Sequence, residues 1–193
     1  MKKYELIPIG NLFRIKALRN FGKVKQGDLG GMVESEVNLS QKGNCWITKD
    51  AKVFGTAKVY GNAMVYDNAK VYGNAMVYGD AMVYGNAMVY GDAMVYGNVK
   101  VYENAWVAGN AKVYGNAKIF GNATVYENAW VYGDTKIYMM AEVYGKAKVF
   151  GKAKVFGNAK VFGNATVYED AWIANNVKVS GNTQITGNEI VKN

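Results

Sequence analysis

Ala111-Lys112-Val113-Tyr114-Gly115-Asn116 is one copy of the six-residue unit that decides the fold of this 193-residue chain. Counted from Ile47 in steps of six, all 25 positions to Val191 are Val or Ile, without an insertion. Two residues before each stands a small residue, usually Ala, from Cys45 and Ala51 through Thr183, with Glu189 the exception in the last unit. Four residues of each unit alternate like a strand, so Ala and Val share one face while the residue between them and Tyr share the other. Lysine fixes the phase. It fills 11 of the 25 intervening positions and is almost never buried unpaired, so Ala and Val point inward. The last two residues are a corner: Gly dominates the first, and 20 of 24 second positions from Asp50 to Asn188 are Asn or Asp, types that tolerate positive φ and bond their own backbone.

A strand this short cannot bury one face alone, so successive units must stack. The pattern small-x-aliphatic-x-x-Asn over residues 45–191 resembles the hexapeptide-repeat superfamily of left-handed parallel β-helices. The resemblance implies an all-β triangular solenoid in which three hexads close one coil of about 18 residues, giving about eight coils and a rod roughly 40 Å long at ~4.8 Å per strand. It also supplies the handedness, since ordinary parallel crossovers turn the other way. Residues 45–193 are therefore read as the β-helix and residues 1–44 as an N-terminal cap, because solenoids need covered ends. Leu12-Phe13-Arg14-Ile15-Lys16-Ala17 alternates as a strand, and Gly27-Asp28-Leu29-Gly30-Gly31 is turn-rich. Leu29-Gly30-Gly31-Met32-Val33-Glu34-Ser35-Glu36, with Asn38-Leu39-Ser40 and Gly43-Asn44-Cys45-Trp46, resembles the opening of uncharacterised bacterial and phage β-helix proteins, some labelled transferases. At the other end, the inward Glu189 and the polar Thr183, Gln184 and Thr186 suit a rod that stops, since inward charges discourage end-to-end pairing.

Composition narrows the function. No run approaches the ~18 apolar residues of a membrane span, and the start Met1-Lys2-Lys3-Tyr4-Glu5-Leu6 has no apolar core or cleavage site. One cysteine, Cys45, fits a reducing compartment. A cytoplasmic protein without a membrane partner is expected. Acyltransferases of the resembled superfamily use a histidine base, and its carbonic anhydrases hold metal through histidines, but this chain has none. Its register is also uninterrupted by active-site loops. Cys45 occupies an inward small-residue position, which favours a structural thiol. The expectation is a protein that is not an enzyme and uses no cofactor or metal, with a transferase-like relic as the weakest alternative.

The outer positions carry the candidates. From Phe54 to Tyr168, 19 of 20 positions after the core aliphatic are Tyr or Phe. Stacked on parallel strands they form three ladders that either stabilise the coil by same-face contacts or mark an interface. Met64, Met76, Met82, Met88 and Met94 fill five of the six outward positions from 64 to 94, on all three faces of neighbouring coils. With Tyr66, Tyr78, Tyr84 and Tyr96 they form a candidate interaction surface for a protein partner or a second copy, since methionine surfaces repack easily. Lys100, Lys118, Lys136 and Lys154 lie 18 apart and stack on one face, thickened by Lys146, Lys148, Lys152 and Lys160. This belt and the net charge of +8 suit a polyanion, nucleic acid or acidic protein surface. Arg14, Lys16, Arg19, Lys23 and Lys25 add either a second basic patch or a solvated strand face. Trp106, Trp130 and Trp172 each follow Glu-Asn-Ala or Glu-Asp-Ala, and their spacings put them on three different faces. They are read as covering a Glu-containing corner. Outward threonines are too few for ice binding. The leading expectation is a non-catalytic β-helical scaffold acting through its outer faces. The phage resemblance suggests inhibition of a host defence protein as a special case.

Overall fold

The computed structural model describes residues 2–48 and 50–192; Met1, Lys49 and Asn193 lie outside the described residues. The chain is an all-β parallel solenoid of about nine turns, whose strands assemble three sheets. Each hexad gives a short strand holding the outward residue and the core aliphatic, as at Lys112–Val113, followed by a two-residue corner. Every third hexad pairs in parallel and in register: Lys112 lies between Met94 and Trp130, and Val113 between Val95 and Val131. Coils therefore return every 18 residues, as the repeat demands.

The inward positions form one continuous core. Ala and Val from Ala51 and Val53 to Ala171 and Ile173 are fully buried, and Thr135 in an alanine position donates to the Tyr132 carbonyl at 2.5 Å. Burial of this kind contributes about 25 cal/mol per Å² of apolar surface. A corner glycine is required where the coils meet: a Cβ on Gly115, at φ 79°, would lie 2.9 Å from the Gly133 amide nitrogen of the next coil. Corner asparagines stack too, each side-chain amide donating to the carboxamide or carboxylate one coil on, as in Asn68 to Asn86 to Asn104 to Asn122.

The rod starts before the regular register does. Strand β3 (Leu29–Val33) pairs in parallel with Lys52–Val53, and Leu39 bridges Val59. Val33, Leu39 and Ile47 are successive inward aliphatics; the first step is six residues, the second eight. A corner two residues longer breaks the hexad count, and residues 29–44 add one coil to the expected eight. The antiparallel hairpin β1 (Tyr4–Ile9) and β2 (Leu12–Ala17) extends the first sheet beyond β3. Gly30 and Gly31 have no room for a Cβ, which would run into Ile15, Ile47 and the Thr48 and Ala51 carbonyls. The long corner grips the hairpin: the Gln41 side-chain oxygen accepts from the Lys3 amide at 2.7 Å. Asn38, fully buried, donates to the Gly55 and Ala57 carbonyls while accepting from the Glu34 and Ser35 amides.

Candidate binding faces

We name the three faces by what they carry. The cap face continues into the N-terminal hairpin and bears Lys70, Met88, Trp106, Thr124, Glu142 and Lys160. The lysine face bears Trp46, Met64, Met82, the four stacked lysines and Trp172. The tyrosine face bears Met76, Met94, Lys112, Trp130 and Lys148.

The aromatic ladders are real stacks. On the tyrosine face seven rings run unbroken from Tyr60 to Tyr168, with centroids 4.7–5.2 Å apart. Six run from Tyr66 to Phe156 on the lysine face. The cap face breaks at Ala108 into Phe54–Tyr72–Tyr90 and Tyr126–Tyr144–Phe162. The rings lie nearly parallel and half-buried, so their edges rather than their faces meet solvent. Burial raises several of the phenols, among them Tyr60 and Tyr78. Tyr126 is pushed up to about 12, first by burial and then by Glu142, to which its hydroxyl donates at 3.4 Å.

Two of the three tryptophans that follow Glu-containing corners, Trp106 and Trp172, finish ladders. Trp106 and Trp172 occur in Trp-x-Ala units where the ladder aromatic is replaced by the buried Ala108 and Ala174. Each indole packs edge-on against the last ring, Tyr90 or Phe156, at 6.4 Å. Trp130 keeps its neighbouring Tyr132 and lies between Lys112 and Lys148, 5.0 and 5.5 Å from its centroid.

The five methionines are not one patch. Met64 and Met82 adjoin on the lysine face, Met76 and Met94 on the tyrosine face, and Met88 stands alone between Lys70 and Trp106. All are half-buried. Tyr66 and Tyr84 stack beside the first pair and Tyr78 and Tyr96 beside the second. Met64, Met82 and Tyr66 meet the cap loop Gly22–Val24 in an open, largely apolar groove of about 560 Å³.

The lysines divide likewise. Lys100, Lys118, Lys136 and Lys154 face one another directly on adjacent strands. Lys100, Lys118 and Lys136 have no ion-pair partner among the described residues, and like charges directly opposite are destabilising. Lys154 sits over the Trp172 ring at 3.9 Å. Lys152 stands at the edge of this face, and with Lys136, Lys154, Trp172, Asp134 and Asp170 it lines a shallow groove of about 480 Å³. The other three belt residues lie elsewhere: Lys146 is at the far corner, Lys148 packs on Trp130, and Lys160 pairs with Glu142 at 2.8 Å. On the cap, Lys16 pairs with Glu5.

Cys45 is buried beneath the hairpin. Lys3, also fully buried, donates from Nζ to the Cys45 carbonyl at 2.9 Å and lies 3.2 Å from Sγ. Its burial lowers the ammonium's pKa, and the nearby thiol partly offsets this. The pair plugs the end of the prism. No set of three or more His, Cys, Asp or Glu among the described residues could hold a metal ion. Among the described residues no helix is long and apolar enough to cross a membrane.

Sequence reasoning missed one surface feature, Met139-Met140. Both are exposed, by 53% and 56%, and Met139 has φ 62°. The signal was present: this is the one corner between Asp50 and Asn188 with neither Gly, Asn nor Asp. The next two corners, Gly145-Lys146 and Gly151-Lys152, also lack the asparagine, so all three corner ladders are cut in one coil.

A family model described as YdcK Beta solenoid repeat matches residues 57–71, 69–85, 81–97 and 117–133. The matched segments lie wholly within the regular coils and cover well under half of the chain, which they mark as similar to β-solenoid repeats. No curated protein matches the chain significantly.

Proposed function

We propose that this β-solenoid is a non-catalytic scaffold that binds an acidic protein surface along its lysine face. The observation that carries it is the in-register ladder Lys100–Lys118–Lys136–Lys154, of which the first three lack a counter-charge among the described residues. Like charges directly opposite on strands about 4.8 Å apart destabilise the fold, whereas an anionic partner relieves their repulsion. Two features favour protein over nucleic acid. Asp134 and Asp170 interrupt the basic groove, which suits a partner with discrete carboxylates better than a continuous phosphate chain. The aromatic ladders offer edges, not the open ring faces on which bases stack. The absence of histidine and the two-residue corners, which leave no room for active-site loops, support a non-catalytic role. Kinship with hexapeptide-repeat proteins, and inhibition of a host defence protein, are the special cases suggested by the repeat and by residues 29–46.

The test is binding of a fluorescent oligoglutamate peptide at about 10 mM ionic strength, where screening extends ~30 Å. Affinity should fall steeply with added salt and vanish in Lys118→Glu/Lys136→Glu/Lys154→Glu. Equal binding by that variant, or tighter salt-sensitive binding of a DNA oligomer than of oligoglutamate, would remove the proposal.

A further inference from the structure

We infer that the acidic partner meets the lysine face as an α-helix laid along the rod, with carboxylates on the lysine ladder and an apolar turn in the groove beside the cap loop. This rests on the lysine-face reading and adds the shape of the partner. Spacing carries it. The stacked rings of this face set the rung at 4.7–5.0 Å. Lys100, Lys118, Lys136 and Lys154 occupy successive rungs, so the first and last stand about 15 Å apart along the rod. A helix rises about 1.5 Å per residue, and its positions i, i+3, i+7 and i+10 share one side. The last three lie about 4.5, 10.5 and 15 Å beyond the first, each within about 1 Å of a lysine rung. An extended chain spaces alternate side chains about 6.7 Å apart, so it meets the four lysines with only three carboxylates, the middle one between rungs.

The same column of side chains fixes where the helix begins. Before Lys100 it holds Met82, Met64 and Trp46. Trp46 is buried, with Phe21 packed edge-on against it at 5.4 Å, so the cap loop closes the face at this end. Beside the loop lies the largely apolar groove of about 560 Å³ that Met64 and Met82 line, and the column runs on from it to the lysines. Helix positions i−4 and i−7 fall about 6 and 10.5 Å before i, over Met82 and Met64. Methionines repack readily around an inserted aliphatic side chain. Two apolar residues followed by four acidic ones thus form a single helical stripe, the pattern by which amphipathic helices dock in grooves.

Charge gives the direction. Asp67 lines the groove and Asp80 accepts from Asn62 on its rim, which outweighs Lys23 there, whereas four lysines follow. The positive N-terminus of the partner helix therefore lies at the groove and its negative C-terminus over the ladder.

Two labelled eighteen-residue peptides of one composition test this at about 10 mM ionic strength. Both carry leucine at the first and fourth positions. One has glutamate at the eighth, eleventh, fifteenth and eighteenth, the other at the eighth, tenth, twelfth and fourteenth. The first should bind about tenfold tighter and gain helical circular dichroism on binding. Met64→Thr/Met82→Thr uses a residue that already stands outward at Thr124 and Thr166, so the fold is kept. It should weaken the first peptide about tenfold, the worth of one partly buried leucine, and leave oligoglutamate binding unchanged. Equal binding of the two peptides, binding without added helix, or a methionine variant that binds the first peptide as well as the native chain does would overturn the inference. If oligoglutamate still binds in those cases, the helix alone falls; if no acidic peptide binds, the lysine-face reading falls with it.

Discussion

Ile119 is the place to test which side of the strand faces inward, because its neighbours Lys118 and Phe120 point the other way on the same short strand. Ile119 is fully buried, in register between Val101 and Ile137. Truncation to alanine removes three carbons worth ~0.8 kcal/mol each, about 2.4 kcal/mol. The rigid coils above and below cannot close the space, and a residual cavity of about 50 Å³ adds ~1.2 kcal/mol. The expected loss is about 3.5 kcal/mol, a fall of roughly 1.5–2 M in the urea midpoint for a slope of ~2 kcal/mol/M. Lys118→Ala removes a like-charge contact on either side and should leave the midpoint within ~0.5 kcal/mol, or raise it. Circular dichroism in urea reads both variants. A larger loss for Lys118→Ala than for Ile119→Ala would refute the phase and with it the dry core.

Asn116 receives the Asn98 amide at 3.1 Å and donates to Asp134 at 2.8 Å. Asn116→Ala should therefore cost about 1 kcal/mol, and Lys146→Asn, which rejoins a cut ladder, should raise the melting temperature; equal shifts of one sign would argue against ladder stabilisation. Alkali should unfold the rod. Folding raises the pKa of phenols such as Tyr60, Tyr78 and Tyr126, the last to about 12, so the folded state holds protons that the unfolded chain, near pH 10, gives up. That stability is complete below about pH 10 and is lost as pH rises through the folded values. Ultraviolet titration should place most tyrosinate formation above pH 10, and midpoints at the ordinary value would contradict half-burial of the ladders.

Much of this was legible because the repeat is an arithmetic signal. Uninterrupted hexads give strand, phase and coil together, and lysine in the outward position reports the surface directly. The aromatic ladders and the stacking of Lys100, Lys118, Lys136 and Lys154 followed from spacing alone. The first coil did not, because a single two-residue lengthening between Leu39 and Ile47 throws the count out of step. Its glycines and Asn38 are chosen by packing against the hairpin, which no local pattern announces. The methionines were legible in their distribution but not in their surroundings. The six-residue step sends neighbouring hexads to all three faces, whereas the groove that Met64 and Met82 share with the cap loop, and that Met76 never reaches, depends on the packing of residues 22–24.

In so regular a chain, a departure from the repeat carries more information than a residue that obeys it. Each coil has the same core packing, corner bonds and ring stacking as the next, so stability along the rod is close to a sum of equal local terms. Selection for folding alone would keep the corner asparagine and the ladder aromatic everywhere. Two kinds of departure contrast most sharply. Trp-x-Ala at 106–108 and 172–174 exchanges one aromatic contact for another, since the indole caps the broken stack. Met139-Met140, Lys146 and Lys152 give up corner bonds for side chains that stand exposed, without compensating burial inside the coil. The first kind is explained by the fold; the second needs something outside it. The surface of this rod is thus to be searched for function at the coil of residues 139–152 and on the two faces that meet at Met139, before anywhere the repeat is intact.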